Sequence, residues 1–301
     1  MRWIFIKQRM KKIVTALLLI ICNLFYAQII KGIVTDSMTK KPIPYVNIVL
    51  INGKGIYSDE IGQFELDIRN SIYDTLKVST LGYKPKKIPL SGFKNKENVI
   101  LSIPLDIKVS NIEEVVLSQK KIDYNKKELL GESKEGNVGM TSLIGYETCV
   151  YIENSVSEKS GKVKRVYIDL KRRDNVDYVA MFNIKFYKYD ETNSKPGEEL
   201  YSKNVYVNPK NQKYRLWIDV EDYNIRFPKN GICIGVELIN TQGKVDKYAR
   251  FGPMFRYTIS KKNKPITWSN YHNTGWRNGS TGSNMGFVNP MIGLEVLFPS
   301  N

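Results

Sequence analysis

The chain has 301 residues, 42% hydrophobic and 25% charged, with three cysteines and a single histidine. That is enough for about two domains of roughly 150 residues, each burying its own core without a disulfide or metal staple, while one histidine leaves little for a zinc or haem site or for histidine-based catalysis. The formal charge of +16 points to a nucleic-acid partner only if the basic residues cluster.

The N-terminus carries a basic head, Arg2, Lys7, Arg9, Lys11 and Lys12, followed by a nearly continuous apolar run from Ile13 to Ile21. With polar Asn23 and the Phe25-Tyr26-Ala27-Gln28 stretch behind it, this is the layout of a secretory signal-peptide helix. The run is shorter than the ~20 residues a membrane span requires, and a strand-like pattern begins at Ile29, which places cleavage after Ala27. An uncleaved anchor and lipid attachment at Cys22 are the alternatives, the second opposed by Ile21 where lipid signals use a small residue. Removal of the five charges in residues 1–27 leaves +11, divided as +4 over 28–104 and +7 over 105–301. Lysine makes up 35 of the 46 basic residues, and the dense runs, Lys84 to Lys87 and Lys171 to Arg173, are short. Phosphate and base-edge recognition favours clustered arginine, so a solvated lysine surface is expected and no nucleic-acid partner.

From Ile29 to Ile103 short period-two runs alternate with turns. Val46, Ile48 and Leu50, then Phe64, Leu66 and Ile68, then Leu76 and Val78, and finally Val99, Leu101 and Ile103 mark the buried parity. Turn residues fall between them at Asp36 to Pro44, Asn52 to Gly55, Asp59 to Gly62, Gly82 and Gly92. About seven strands at this spacing predict an antiparallel sandwich over residues 28–104. Asp36, Asp59 and Asn47 are read as turn and cap residues, and Gly32 as a point of close backbone approach or a bulge.

Residues 105–140 read as one more strand, Ile107 to Leu117, and a polar linker with a short helix considered around Tyr124 to Leu130. From Tyr146 longer alternating runs resume: 146–153, 163–170, 179–189, 200–207, 214–220, 231–239, 251–259 and 290–298. Eight such strands over residues 141–301 predict a jelly-roll-like double sheet. Cys149 and Cys233 lie in these runs as buried thiols or as a disulfide, and sequence leaves that choice open.

The first sandwich also has a recognisable wording. Gly32-Ile33-Val34-Thr35-Asp36, Thr39, Pro42 to Ile48, Ser58 to Leu66, Leu81-Gly82-Tyr83 and Ile112 to Leu117 resemble the carboxypeptidase regulatory-like domain, a transthyretin-like sandwich common in exported proteins of Bacteroidetes-type bacteria. The resemblance covers residues 29–117 and implies a folding and interaction module rather than a peptidase, because the histidines of a zinc carboxypeptidase are missing. Lys195 to Leu200, Trp217 to Val220 and Gly231 to Glu237 look similar to the second sandwich that follows this module in a smaller class of exported proteins.

Candidate chemistry is sparse. His272 stands in a polar stretch and reads as a surface residue, and Glu237 and Glu295 read as the solvent faces of their strands. The distinctive segment is 268–289, where Trp268, Tyr271, Trp276 and Arg277 stand among amides and hydroxyls. Aromatic plates beside such groups suit a sugar-binding loop; a crossover loop pinned by its aromatics is the alternative. The sequence therefore predicts an exported, non-enzymatic, all-β protein of the periplasm, outer membrane or cell surface. It is expected to need no cofactor or metal, to keep no transmembrane segment after signal removal, and to meet an envelope protein or a glycan. Carbohydrate binding through 268–289 is the second reading and hydrolysis the third; oligomeric state is left open.

Overall fold

The structure, a computed structural model, describes residues 29–51, 54–68, 74–93, 98–108, 123–132, 136, 138–156, 158–172, 174, 176, 179–210, 213–240, 252–260, 266–279, 282–283 and 286–300. The signal-peptide segment and most of the strand expected at 107–117 lie outside the described residues. Among the described residues no helix is long and apolar enough to cross a membrane.

The first seven strands are β1 (Ile29–Asp36), β2 (Asn47–Leu50), β3 (Gly55–Tyr57), β4 (Gln63–Asp67), β5 (Thr75–Ser79), β6 (Lys86–Pro89) and β7 (Asn98–Leu105). They form a three-stranded sheet ordered β4-β1-β7 and a four-stranded sheet ordered β3-β2-β5-β6, with β1 and β7 parallel. The predicted parity holds: Ile30, Val34, Ile48, Leu50, Phe64, Leu66, Leu76, Val78 and Ile103 share one core. Gly32 is required at its position, since a Cβ there would lie 2.5 Å from the Leu101 carbonyl oxygen and against the Phe64 ring. Asp36 caps its turn, accepting from the Met38 and Thr39 amides at 2.9 and 2.7 Å. Asp59 does likewise for Ile61 and Gln63 at 3.0 and 2.8 Å, with Gly62 at φ +74° completing the hairpin.

The remaining strands are β8 (Tyr124–Gly131), β9 (Val138–Met140), β10 (Tyr146–Ile152), β11 (Gly161–Lys171), β12 (Ala180–Asp190), β13 (Lys195–Glu199), β14 (Val205–Val207), β15 (Arg215–Asp219) and β16 (Arg226–Phe227), followed by β17 (Ile232–Asn240), β18 (Met254–Ser260), β19 (Thr267–Tyr271), β20 (Trp276–Asn278), β21 (Gly282–Ser283), β22 (Gly286–Pro290) and β23 (Ile292–Pro299). They build a seven-stranded sheet, β13-β12-β17-β10-β19-β20 with β14 beside β12, and a nine-stranded sheet, β21-β22-β18-β11-β23-β8 with β15 and β16 beside β11 and β9 beside β18. One cluster including Phe182, Ile184, Phe186, Ile234, Val236, Val166, Ile168, Leu294 and Val296 fills the space between them.

Three expectations change. The short helix considered at Tyr124–Leu130 is β8, paired with β23 from Gly131↔Gly293 to Tyr124↔Pro299. It is an edge strand with exposed Lys126 and Lys127, a half-buried Glu128 and a buried Leu130, and charge of this kind is what keeps an edge from pairing with other chains. The stretch 268–289 holds β19, β20, β21 and most of β22 rather than a long loop, because the backbone of Thr267–Tyr271 extends the seven-stranded sheet along β10. The eight strands expected over residues 141–301 become fourteen among the described residues, β10 to β23, the additions being mostly short.

The outer face of the nine-stranded sheet is built around Tyr167, fully buried although it lies outside the core. Its ring crosses Gly293, where a Cβ would collide with it. The Arg215 guanidinium lies 4.1 Å above the ring and grips Asp169 through two bonds of 2.6 and 2.7 Å. Glu295 lies on the same outer face but not at the solvent: its side chain is 15% exposed and is paired with Arg165 at 2.6 Å. Gly293→Ala should therefore displace Tyr167 and lower stability by about 1–3 kcal/mol; an unchanged melting temperature would rule out this packing.

Candidate functional site

In the seven-stranded sheet Thr148, Val150, Ile184, Phe186, Ile234 and Val236 take one parity, and the opposite parity points away from that sandwich. The register on this second face is informative. Glu147 of β10 stands opposite Glu237 of β17, which stands opposite Asn183 of β12, with Lys185 opposite Gly235. Two carboxylates side by side on neighbouring strands repel each other. Lys185 holds them together, its Nζ 3.0 Å from Oε2 of both Glu147 and Glu237. The other two carboxylate oxygens are also occupied: Tyr187 donates its hydroxyl to Glu147 Oε1 at 2.8 Å, and Tyr57 donates to Glu237 Oε1 at 2.8 Å. Residue 235 must be glycine, because a Cβ would collide with Glu147.

Tyr57 belongs to the other sandwich. With Asn47 and Ser79 it forms a row across β3, β2 and β5 that faces the carboxylate row. Asn47 donates through Nδ2 to the His272 carbonyl at 2.9 Å and to Ser79 Oγ at 3.4 Å, while its Oδ1 is bonded to His272 Nδ1. These partners assign the imidazole proton to Nδ1. The ring is 1% exposed at residue level and wedged between Gly55 of one sandwich and Gly145 of the other; a Cβ on either would collide with it. His272 and Asn273 adopt φ +44° and +57° in the turn joining β19 to β20, a region that His and Asn enter more readily than most residues. Lys77 donates to the Asn273 carbonyl at 2.7 Å, and Asn204 to Thr80 Oγ1 at 3.3 Å, widening the contact.

Burial works against the charge on Lys185, yet the two carboxylates outweigh it and raise its pKa, so the lysine is charged. Burial raises Glu237 too, but the charge and hydrogen bonds of Lys185 and the Tyr57 bond bring it below its ordinary value. For Glu147 burial prevails over Lys185 and the pKa rises. Burial, with Lys185 acting the same way and Glu237 opposing, pushes His272 down to about 4; the imidazole is neutral at pH 7.

A cleft of about 170 Å³ opens between the sandwiches over these groups, lined by Tyr45, Asn47, Tyr57, Lys185, Glu237 and Trp276 among others. The Lys108–Glu199 ion pair, 3.0 Å long, also lines it. Among the described residues no group of three or more His, Cys, Asp or Glu side chains is placed to hold a metal ion. Cys149 and Cys233 are buried free thiols.

The aromatic residues singled out in sequence separate. Trp268 is 5% exposed; it stands opposite Cys149, on the same face as Glu147, and packs against Tyr189 with ring centres 6.1 Å apart. Tyr271 is half-buried against Tyr146, with ring centres 4.8 Å apart, and Arg277 is exposed on β20. Trp276 alone of the four lines the cleft, its ring edge-on to Tyr187 at 5.5 Å. Two expectations are overturned here: His272 and Glu237 are not surface residues, since the first sandwich covers the face on which they lie. Asn47 is likewise not a turn or cap residue but the partner of His272. Lys185, Glu147, Tyr187 and Tyr57 escaped the sequence reading. Their signal is the run Ile232–Asn240, buried at all nine positions and apolar on both parities around Glu237, as in a strand covered on two faces.

Residues 30–117 match the family model of the CarboxypepD_reg-like domain, in agreement with the resemblance carried by Gly32–Asp36 and Ser58–Leu66. A search among curated proteins found no match. Among solved structures, a Bacteroides fragilis NCTC 9343 protein described as membrane-associated and of unknown function aligns over 91% of this chain and 98% of its own. The two are 10% identical, with a TM-score of 0.22.

Lys185→Met leaves two buried carboxylates without a counter-charge and should cost about 3–5 kcal/mol in denaturant unfolding; adding Glu147→Gln should recover part of the loss, and additive losses would contradict the shared ion pair. The His272 imidazole should also impose a pH dependence. Above its ordinary value of 6.5 it is neutral folded or unfolded, and between 6.5 and about 4 the unfolded chain takes up the proton first. Stability should thus fall as pH drops through that window, by about 3 kcal/mol in total, and His272→Gln should remove that part of the slope.

Proposed function

We propose that this protein is an exported, non-enzymatic binding or assembly component of the cell envelope, in the periplasm, on the outer membrane or at the cell surface. Its partner is an envelope protein or a glycan. The observation that carries the reading is how the reactive side chains are spent. A general base needs a route to substrate, whereas His272 has Nδ1 bonded to Asn47 and its ring enclosed by Gly55 and Gly145. Glu237 has both oxygens engaged, by Lys185 and by Tyr57. These groups hold the CarboxypepD_reg-like sandwich against the double sheet, so the two sandwiches present one combined surface. The basic head and apolar run of residues 2–21 support export, and the lysine-rich surface suits an environment of anionic lipid or polysaccharide.

Two measurements test this. In fractionated cells producing the full chain, the envelope fraction should contain a mature form beginning at Gln28; a chain confined to the cytosol and still starting at Met1 would remove the export reading. Purified mature protein should turn over no member of peptide, ester and glycoside panels, and turnover abolished by Glu237→Gln would overturn the non-enzymatic assignment.

A further inference from the structure

We propose that the cleft between the two sandwiches is the seat of a single neutral sugar ring, a pyranose unit of a glycan; this rests on the binding reading above and names its ligand class.

Size comes first. A cavity of about 150 Å³ accepts a six-membered benzene ring, so a cleft of about 170 Å³ matches one sugar ring and excludes a disaccharide from full burial. Charge narrows the class. Beneath the cleft two carboxylates meet one ammonium, and Glu199 and Glu198 also line it with Lys108; Glu199 pairs with Lys108 at 3.0 Å and Glu198, its side chain 84% exposed, with Lys188 at 3.6 Å, so four carboxylates stand against three ammonium groups. An anionic ligand would be repelled. A cationic one would find every oxygen of Glu147 and Glu237 already holding a donor, two on Lys185 and one each on Tyr187 and Tyr57. A neutral ligand avoids both costs.

The free hydrogen-bonding capacity then calls for oxygen. Lys185 commits two of its three protons to the carboxylates, leaving one for an acceptor in the cleft. The hydroxyl of Tyr206 is buried with no partner among the described residues. Its ring stands edge-on to the cleft-lining Tyr45 at 5.1 Å, and it lies within electrostatic reach of Glu237 and Lys185. An unpaired buried hydroxyl is costly and calls for an explanation; Tyr206 stands behind Tyr45 rather than in the lining itself, and in the proposed complex a ligand hydroxyl passing Tyr45 reaches it. Ser79, Thr80 and Asn204 add polar groups to the lining, and Trp276, Tyr45 and Tyr57 add rings on which the C–H face of a sugar can lie.

The test is calorimetric and NMR titration of the mature protein with methyl pyranosides of neutral hexoses, a hexuronic acid, an amino sugar, open-chain sorbitol and N-acetylglycinamide. At least one neutral pyranoside should bind with a Kd in the millimolar range or tighter, the uronic acid and amino sugar roughly tenfold more weakly, and sorbitol more weakly still because it lacks a ring face. Trp276→Ala should weaken binding roughly tenfold or more. Tyr206→Phe removes a hydroxyl that has no partner among the described residues, so it should leave the melting temperature unchanged or higher while weakening binding several-fold. That variant keeps the test meaningful if Trp276→Ala disturbs the fold. No binding of any neutral pyranoside, equal binding by both variants, or preference for N-acetylglycinamide would overturn the sugar assignment. An envelope protein crosslinked to the chain in intact cells would still uphold the broader binding reading in that event, and its absence alongside a bound sugar would leave glycan as the partner.

Discussion

Everything about the arrangement of this molecule depends on burying two glutamates next to each other. Glu147 and Glu237 face a second sheet instead of water, and one lysine between them, with a tyrosine hydroxyl on each remaining oxygen, satisfies the whole set. A buried polar group is tolerable when every partner is in place and expensive otherwise. The contact between the sandwiches therefore has one good register. Sliding the four-stranded sheet by a residue would separate Tyr57 from Glu237 and Asn47 from His272 together. The gain over an apolar contact is specificity of placement rather than raw stability. Four sheets consequently stack in sequence, three-, four-, seven- and nine-stranded, with apolar cores in the outer two gaps and a polar contact in the middle one.

This layering explains which parts of the protein its sequence announces. Phe64 and Leu66, or Phe182, Ile184 and Phe186, alternate with residues of the other parity, and the sandwich cores follow from that period alone. Asp59 with Gly62 dictates a hairpin through local chemistry, and the wording around Gly32 and Pro42 identifies the first sandwich. Alternation, however, carries the premise that the other face is wet. Glu237 and His272 break that premise because their cover comes from strands more than 150 residues away, and no local pattern encodes such a neighbour. The sign of such a neighbour that the sequence does carry is the apolar character of β17 on both parities, including Cys233 and Ile239. Tyr124–Leu130 misled for the opposite reason: an edge strand must be charged to stay unpaired, and a charged run with scattered leucines looks like a linker or a helix.

The same layering relates structure to activity. Histidine, lysine and paired glutamates in a polar cleft have the composition of a catalytic site, yet their bonds run across the seam between the sandwiches. What the seam leaves open is a space bounded by rings and amides, with Trp276 as the member of the aromatic segment that reaches it. Trp268, equally conspicuous in the sequence, lies on the same sheet face as Glu147 but is buried against Tyr189 and does not line the cleft.

The bond between Asn47 and His272 joins residues 225 positions apart, and this has a consequence for assembly. The strands of the first sandwich find one another over shorter stretches of chain, whereas the seam closes only after the β19–β20 turn has been made, long after the first sandwich is complete. Contacts of such separation form late. In the interval the surface that waits is the row Tyr57, Asn47 and Ser79, and water can solvate these groups. A greasy surface exposed for as long would gather unrelated chains. The hydrophilic seam thus lets the first half of the molecule remain solvated and unentangled until the second half arrives.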